Sequence, residues 1–451
     1  MTLDAIAVVV DGQVHGDPTL VVTGAAYVDT RAAVAGGLYV AVVGERVDGH
    51  DFATGAHAVL GSRPTAAATV VVADPTVALG RLARHVADAI PATVLALTGS
   101  QGKTGTKDYL AHVLGSSGVT VATAANNNNE IGVPLTVLRA DAQTEHLVVE
   151  MGARGLGHIA YLCEIAPPDV AAVLNVGTAH IGEFGGREAI AAAKAEILQA
   201  LPATGVAVLN ADDDFTAAMS GRTPARTLTF GAAGDVTWRA VELDDLGRPS
   251  FDLGHTRVWH PVRLTQSGLH QVHNAVAAAA MALAAGLGMA EIAEALSGAR
   301  PGSRWRMELQ EREDGLLVIN DSYNANPASM AAAIDTLAQI GRRRQRRTVA
   351  VLGEMLELGD SADHDHRAVG AAAAAAGVDV VVVVGEEAAA IAVGARSHEA
   401  WNGEAILTAG RSAAVDWLRE NVHAEDVVLV KASRRAALES IVEQLLEGGA
   451  A

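Results

Sequence analysis

The sequence predicts an α/β protein of three domains, and three observations carry that prediction. The chain has 451 residues, about three times a common domain length, so each third can bury a core of its own. Half of the residues are hydrophobic while only 3% are aromatic, which leaves Ala, Val and Leu to fill those cores. From Pro91 onward, short apolar runs alternate with helical periodicity, the pattern of a parallel sheet covered by helices.

In chain order, Tyr39–Val43 and Thr69–Val72 read as strands between Gly-rich turns and make residues 1–90 a small α/β N-terminal domain. Residues 91–306 follow with a strand at Thr93–Leu97, a helix ending near Leu114, and strands at His146–Val149, Val170–Leu174 and Val206–Leu209. A helix is expected at Ala189–Ala200. A β-rich section then runs through Val262, and a helix begins near Asn274. This middle region is expected to be a mostly parallel, doubly wound sheet, with its ligand groups at the carboxyl ends of the strands. Residues 307–451 alternate again, with strands at Leu316–Ile319, Val349–Leu352, Val378–Val384, Ala405–Leu407 and Val427–Val430, and read as a C-terminal Rossmann-like domain. The Ala-rich tract Ala275–Ala290 is shorter than the roughly 20 residues of a spanning helix and is expected to be a buried one.

Charge narrows the partners. Thirty-three Lys and Arg stand against 52 Asp and Glu, a net charge of -19, which repels nucleic acid and anionic membranes. An anionic substrate must therefore be held by local groups. The run Arg342, Arg343, Arg344, Gln345, Arg346, Arg347 is read as a solvated loop on an acidic protein, not as a nucleic-acid patch. A single cysteine, Cys163, cannot form an intramolecular disulfide, and the first ten residues lack the basic start of a signal peptide. Both point to the reducing cytoplasm. A monomer without nucleic-acid or membrane partners is expected.

The strongest local signal is the run from Leu97 to Thr104, placed between a strand and a helix. Gly99, Ser100, Gln101 and Gly102 would let the backbone close on phosphate oxygens at a helix N-terminus. Lys103 would neutralise the terminal phosphates and Thr104 would offer its hydroxyl to Mg2+. The middle domain is on this reading P-loop NTPase-like, although Leu97 stands where the commonest spacing has its first glycine. Glu150 follows the next strand and suits a metal that prefers oxygen ligands. His180 follows another, and Lys194 lies in the helix beyond it. Singly, Glu150 could cap a helix, His180 bond to a loop and Lys194 face solvent; their recurrence at successive strand ends favours a common site.

These residues resemble the Mur ligase family, ATP-dependent amide-forming enzymes of bacterial cell-wall synthesis. The resemblance rests on T-G-S-Q-G-K-T at 98 to 104, N-N-N-N-E-I-G-V-P at 126 to 134, E-M-G at 150 to 152, N-V-G-T-A-H at 175 to 180 and K-A-E at 194 to 196. It continues through H-N-A at 273 to 275, R-M-E at 306 to 308, D-S-Y-N-A-N-P at 321 to 327, G-E-M-L-E-L-G at 353 to 359, His364 and K-A-S-R at 431 to 434. Within the family, the last motifs are similar to those of members that add D-alanyl-D-alanine to UDP-N-acetylmuramoyl-tripeptide. Asp29, Thr30 and Arg31, with G-E-R-V-D-G-H-D-F at 44 to 52, resemble their nucleotide-sugar region. Three positions depart from the family pattern: Gly105 for Thr, Asp108 for Glu and Ala432 for Gly.

The resemblance implies that a substrate carboxylate takes the γ-phosphate of ATP and that an amine opens the acyl phosphate. Lys103, Lys194 and His180 would be catalytic. Thr104 and Glu150 would hold one Mg2+, and His180 with a carbamylated Lys194 a second. Asn274, Arg306, Asp321 and Asn324 would contact ATP, and Lys431, Ser433 and Arg434 the substrate's anionic groups. A family member adding a different amine, or a nucleotide-binding regulator that no longer ligates, are the alternatives. Amine competition and substrate-dependent phosphate release separate them.

Overall fold

The computed structural model describes residues 1–44, 47–177, 184–300 and 302–447. Three sheets carry the chain. The first joins β1 (Gln13–His15), β2 (Ala26–Tyr27), β3 (Leu38–Val40), β4 (Ala58–Gly61) and β5 (Thr69–Val71) in the order β1-β5-β4-β3-β2. Only β1 runs antiparallel to its neighbour. The strand expected at Tyr39–Val43 stops at Val40, because Val43 turns back to bridge Asp48.

The second sheet has nine strands: β6 (Thr93–Thr98), β7 (Thr120–Ala122), β8 (His146–Glu150), β9 (Val170–Val173), β10 (Val206–Asn210), β11 (Arg226–Phe230), β12 (Val236–Leu243), β13 (Pro249–His255) and β14 (Val258–Arg263). Strands β7, β8, β6, β9, β10 and β11 lie side by side and parallel, and β12 to β14 extend them as an antiparallel meander. Parallel strands covered on both faces read as unbroken apolar runs, and Leu95, Ala96, Leu97, Val148, Ala171, Ala172 and Val208 are indeed fully buried. On one face, the helix Lys103–Gly115 packs against the helix His270–Ala284. The second helix buries Ala275 through Ala282 without interruption; methyl side chains let the two axes approach closely. That helix begins four residues before Asn274 and takes up the alanine tract only to Ala284; the end of the tract, from Met289, starts a separate helix, Met289–Gly298.

The third sheet, in the order β15-β16-β20-β17-β18-β19, comprises β15 (Glu308–Glu311), β16 (Leu317–Asp321), β17 (Thr348–Leu352), β18 (Val380–Val384), β19 (Glu404–Thr408) and β20 (Val427–Lys431). All but β15 are parallel. The second and third sheets are joined by a short crossing in which Trp305 (φ 60°) and Met307 (φ 50°) adopt left-handed backbone on either side of Arg306.

The arginine run needs correction. Arg342, Arg343 and Arg344 form the last turn of the helix Pro327–Arg344, and Gln345 ends it in left-handed geometry. Arg342 donates to Ala376 O, Arg346 to Gly315 O and Arg347 to Asn421 O, while Arg344 pairs with Asp245 and Glu311. The predicted loop is a helix end because basic side chains complement its exposed carbonyls. Among the described residues, no helix is long and apolar enough to cross a membrane.

Candidate active site

The phosphate loop occupies the carboxyl end of β6. Gly102 has φ 78° and caps the helix Lys103–Gly115 with backbone alone. A Cβ on Gly102 would stand 2.6 Å from Asn274 Oδ1, and one on Gly105 would stand 2.7 Å from Asn274 Nδ2. The departure at Gly105 therefore makes room for Asn274, whose Nδ2 donates to Gln271 Oε1 at 3.2 Å.

One asparagine ties the loop to the next strand end. The N–H groups of Ser100 and Gln101 both donate to Asn175 Oδ1 at 3.0 Å, and Asn175 Nδ2 returns a bond of 3.1 Å to Gln101 O. Gly177 N–H donates to Ser100 Oγ at 2.9 Å. The cradle is thus fixed in shape before any ligand arrives.

Glu150, at the end of β8, is buried with 1% exposure. Its Oε1 accepts from Asn128 Nδ2 at 2.8 Å, and its Oε2 is buried without a hydrogen-bond partner. A buried, unpartnered carboxylate oxygen is costly, and with the buried Thr104 lining the same cavity it fits a hard cation that takes oxygen ligands. Among the described residues, no group of three His, Cys, Asp or Glu side chains is placed to hold a metal. A cation here would therefore share its shell between Glu150, a hydroxyl and ligand oxygens.

Two lysines face the same space. Lys103 Nζ donates to Gly99 O at 2.7 Å. Burial pushes its ammonium below the ordinary lysine range, opposed by the charge of Glu150 and reinforced by Arg306. Lys194, in the helix Arg187–Gln199, is 6% exposed; burial first, and the charge of Lys103 second, drive it well below its ordinary value. A shift in that direction favours the neutral amine, the form that combines with carbon dioxide. His180 lies outside the described residues.

Across the cleft, the third sheet presents Asp321, Tyr323, Asn324, Lys431 and Arg434. A cavity of about 680 Å3 is lined by these residues together with residues 99 to 106, Asn128, Glu150, Arg154, Lys194, Asn274 and Arg306. Lys431 is not a free cation: its Nζ donates to Asp321 Oδ2 at 2.6 Å and to Asn324 O at 2.8 Å. Arg306 stacks on the Tyr323 ring at 4.3 Å, and Arg434 on Trp305 at 4.6 Å while pairing with Glu439. Ser433 is buried and its Oγ accepts from Leu356 N–H. The departure at Ala432 is matched by Gly353, where a Cβ would stand 2.8 Å from the Ala432 methyl; Asp108 pairs with Lys107 at 2.6 Å.

Gly99, Ser100, Gln101, Gly102, Lys103, Thr104, Glu150, Lys194, Asn274, Arg306, Asp321, Asn324, Lys431 and Arg434 are thus brought to one cavity. Asp29, Thr30, Arg31 and the buried Ser433 are not among its walls. Asp29 caps a short turn, accepts from Arg31 N–H and pairs with the exposed Arg31 side chain. Sequence reasoning quoted the motifs containing Asn175 and Asn128 without giving either residue a role. Both follow or face a strand end, which is the signal that could have found them.

Comparison with known proteins agrees with this arrangement. Residues 97–282 match the Mur ligase middle domain, and residues 305–434 match the "Mur ligase, glutamate ligase domain". A Mycobacterium tuberculosis protein named "UDP-N-acetylmuramoyl-tripeptide--D-alanyl-D-alanine ligase" is 44% identical over 94% of this chain and 92% of its own length. An Acinetobacter baumannii structure, titled UDP-N-acetylmuramoylalanyl-D-glutamyl-2,6-diaminopimelate--D-alanyl-D-alanyl ligase, matches at TM-score 0.85 with 33% identity. It covers 99% of this chain and 98% of that one. MurF ligase from Thermotoga maritima, in complex with ADP, matches at TM-score 0.78 with 29% identity, covering 95% of this chain and 98% of that one.

Proposed function

The chain belongs to the Mur ligase family, and from that premise we propose that it joins D-alanyl-D-alanine to UDP-N-acetylmuramoyl-tripeptide in peptidoglycan precursor synthesis, using ATP. The observation that carries the reading is the single cavity in which a phosphate cradle, an unpartnered carboxylate and a deprotonation-prone lysine meet residues of the third sheet. We assign residues 1–90 to the UDP-sugar, 91–306 to ATP and 307–451 to the incoming amine. Asp29, Thr30 and Arg31 are proposed contacts for the sugar nucleotide. The acceptor is taken to carry an alanyl-glutamyl-diamino acid stem, in which the glutamyl residue keeps one carboxylate free whichever of its carboxyls enters the chain.

The reaction has two steps. A stem carboxylate oxygen attacks the γ-phosphorus, the bond to the β-γ bridging oxygen breaks, and ADP leaves. The amine nitrogen of the dipeptide then attacks the acyl carbon, phosphate departs, and the nitrogen loses a proton to give the amide. Both entering groups are anions in the first step, so charge must be neutralised where they meet. The backbone N–H groups at the start of the helix Lys103–Gly115 hold the phosphates, those of Ser100 and Gln101 being donated to Asn175, and Lys103 exchanges its bond to Gly99 O for a phosphoryl oxygen.

Thr104 and Glu150 would hold one Mg2+, and His180 with Lys194 a second. Bound there, the metal supplies charge neutralisation between nucleotide and carboxylate. Lys194 fits this role only as its carbamate: the neutral amine adds to carbon dioxide and releases a proton, leaving two oxygen donors. Asn274, Arg306, Asp321 and Asn324 are proposed contacts for ATP, and Lys431, Ser433 and Arg434 for anionic groups of the substrates. Closing the third sheet over the second excludes water from the acyl phosphate.

The test is phosphate release from ATP and Mg2+, measured with the tripeptide nucleotide, with D-alanyl-D-alanine, with both, and with other amines in place of the dipeptide. Release that requires both partners, and an amide product by mass, is the expected result. Release without an amide, or an equal rate with other amines, would refute it.

A further inference from the structure

Among the described residues, six Lys and Arg side chains line the cavity, and five of them have a close contact or a role already given. Lys103 donates to Gly99 O, Lys431 is paired with Asp321, Arg306 lies on Tyr323, and Arg434 is shared between Glu439 and Trp305. Lys194 is claimed by the carbamate chemistry above. Arg154 differs. Its guanidinium is 69% exposed and approaches one carboxylate, Glu130 Oε1, at 3.7 Å, a separation too long for a hydrogen bond.

The backbone beneath Arg154 is nevertheless fixed. Gly152 N–H donates to Asn128 O at 2.8 Å, and Arg154 N–H donates to His158 Nδ1 at 3.2 Å. Because Nδ1 of that ring accepts, the proton sits on Nε2, which donates to Glu130 Oε2 at 3.1 Å. Glu196 in turn accepts from Gly157 N–H and Ala160 N–H, anchoring the far end of the loop. The result is a fixed base carrying an exposed guanidinium held by no hydrogen bond and only by the 3.7 Å ion pair with Glu130, four residues beyond Glu150 and lining the same cavity. On a chain with net charge -19, an exposed arginine lining the cavity is a local device for holding an anion. Its planar fork suits a carboxylate in two-point contact.

Resting on the acceptor assignment made above, we propose that Arg154 is a specificity-determining residue that binds a non-reacting carboxylate of the acceptor peptide. The reacting carboxylate is expected nearer the phosphate cradle and Glu150. Two stem groups share the chemistry Arg154 would recognise: the free glutamyl carboxylate, and the second carboxylate of a diaminopimelate side chain.

Steady-state kinetics of the full chain test this with R154A and R154K. The wild-type chain, assayed alongside, establishes whether ligation occurs at all, so failure of that reading is separate from failure of this one. R154A should raise KM for the tripeptide nucleotide about 10- to 100-fold, the range of one charge-assisted hydrogen bond. The KM values for ATP and D-alanyl-D-alanine should stay within twofold, and R154K should recover part of the loss. Two modified acceptors identify the source: one with its glutamyl carboxylate amidated, one with lysine in place of diaminopimelate. The acceptor lacking the recognised carboxylate should weaken the wild type as much as R154A does and cause no further loss in R154A. Unchanged acceptor KM in R154A, equal loss for all three substrates, or additive losses with both modified acceptors would each overturn the proposal.

Discussion

Replacing Asn175 by alanine removes three hydrogen bonds at once, two accepted from Ser100 and Gln101 N–H and one donated to Gln101 O. Each bond of this kind contributes about 1 kcal/mol net. Asn175 is partly exposed, so water replaces part of the loss, and about 2 kcal/mol remains as the cost of ordering the loop when nucleotide binds. That corresponds to roughly 30-fold weaker ADP binding. Isothermal calorimetry with ADP and Mg2+ reads it directly. Asn175→Asp separates the causes: it keeps both accepted bonds but sets a negative charge beside the phosphates, so it should bind ADP more weakly than wild type while holding the loop's shape. ADP affinity of Asn175→Ala within twofold of wild type would refute the claim that this side chain preorganises the cradle.

Three further outcomes are expected. Lys194→Ala should abolish phosphate release, and a small carboxylate added to the assay should restore part of it; full activity of the plain variant would remove Lys194 from the mechanism. Lys431→Met leaves Asp321, which is 13% exposed, with no cation and only the Met307 N–H as donor, so thermal unfolding should show a fall of about 10 °C in Tm, from roughly 3 kcal/mol of uncompensated charge. The double variant with Asp321→Asn should recover most of that fall, and a single variant as stable as wild type would contradict the pairing. Burial lowers His270 from 6.5 to about 4, with Asp321 opposing and Lys431 and His273 adding to the shift. The unfolded chain therefore takes up the proton first, so this stabilisation is complete above about pH 6.5 and is lost as pH falls toward 4. Denaturation midpoints measured across that window should slope less in His270→Gln, and parallel slopes would exclude the assignment.

Much of this architecture was legible because parallel strands announce themselves. Thr93–Leu97, Val349–Leu352 and Val427–Val430 are apolar runs with no polar face, and each became a buried strand within a residue of its expected limits. Strands β1, β2, β4, β7 and β15 went unread, being two to four residues long and, β4 apart, partly exposed; their pairing comes from neighbours, not from a pattern of their own. The phosphate loop was legible for a different reason: glycines, lysine and threonine in that order have few other uses. The roles of Asn175 and Asn128 were not, since an asparagine after a strand is an ordinary turn residue until its partners are known. Nor could spacing show that Lys431 and Asp321, quoted for different ligands, face each other across adjacent strands at paired positions.

The basic stretch near residue 345 has a consequence for how the C-terminal third behaves in salt. Three of its guanidinium groups grip peptide oxygens from separate segments, at Ala376, Gly315 and Asn421. Neutral acceptors of this kind are little weakened by dissolved electrolyte, unlike carboxylate partners at the surface. A string of like charges has in this way become a rivet, fastening distant turns to one helix terminus at ionic strengths that would loosen ordinary surface ion pairs.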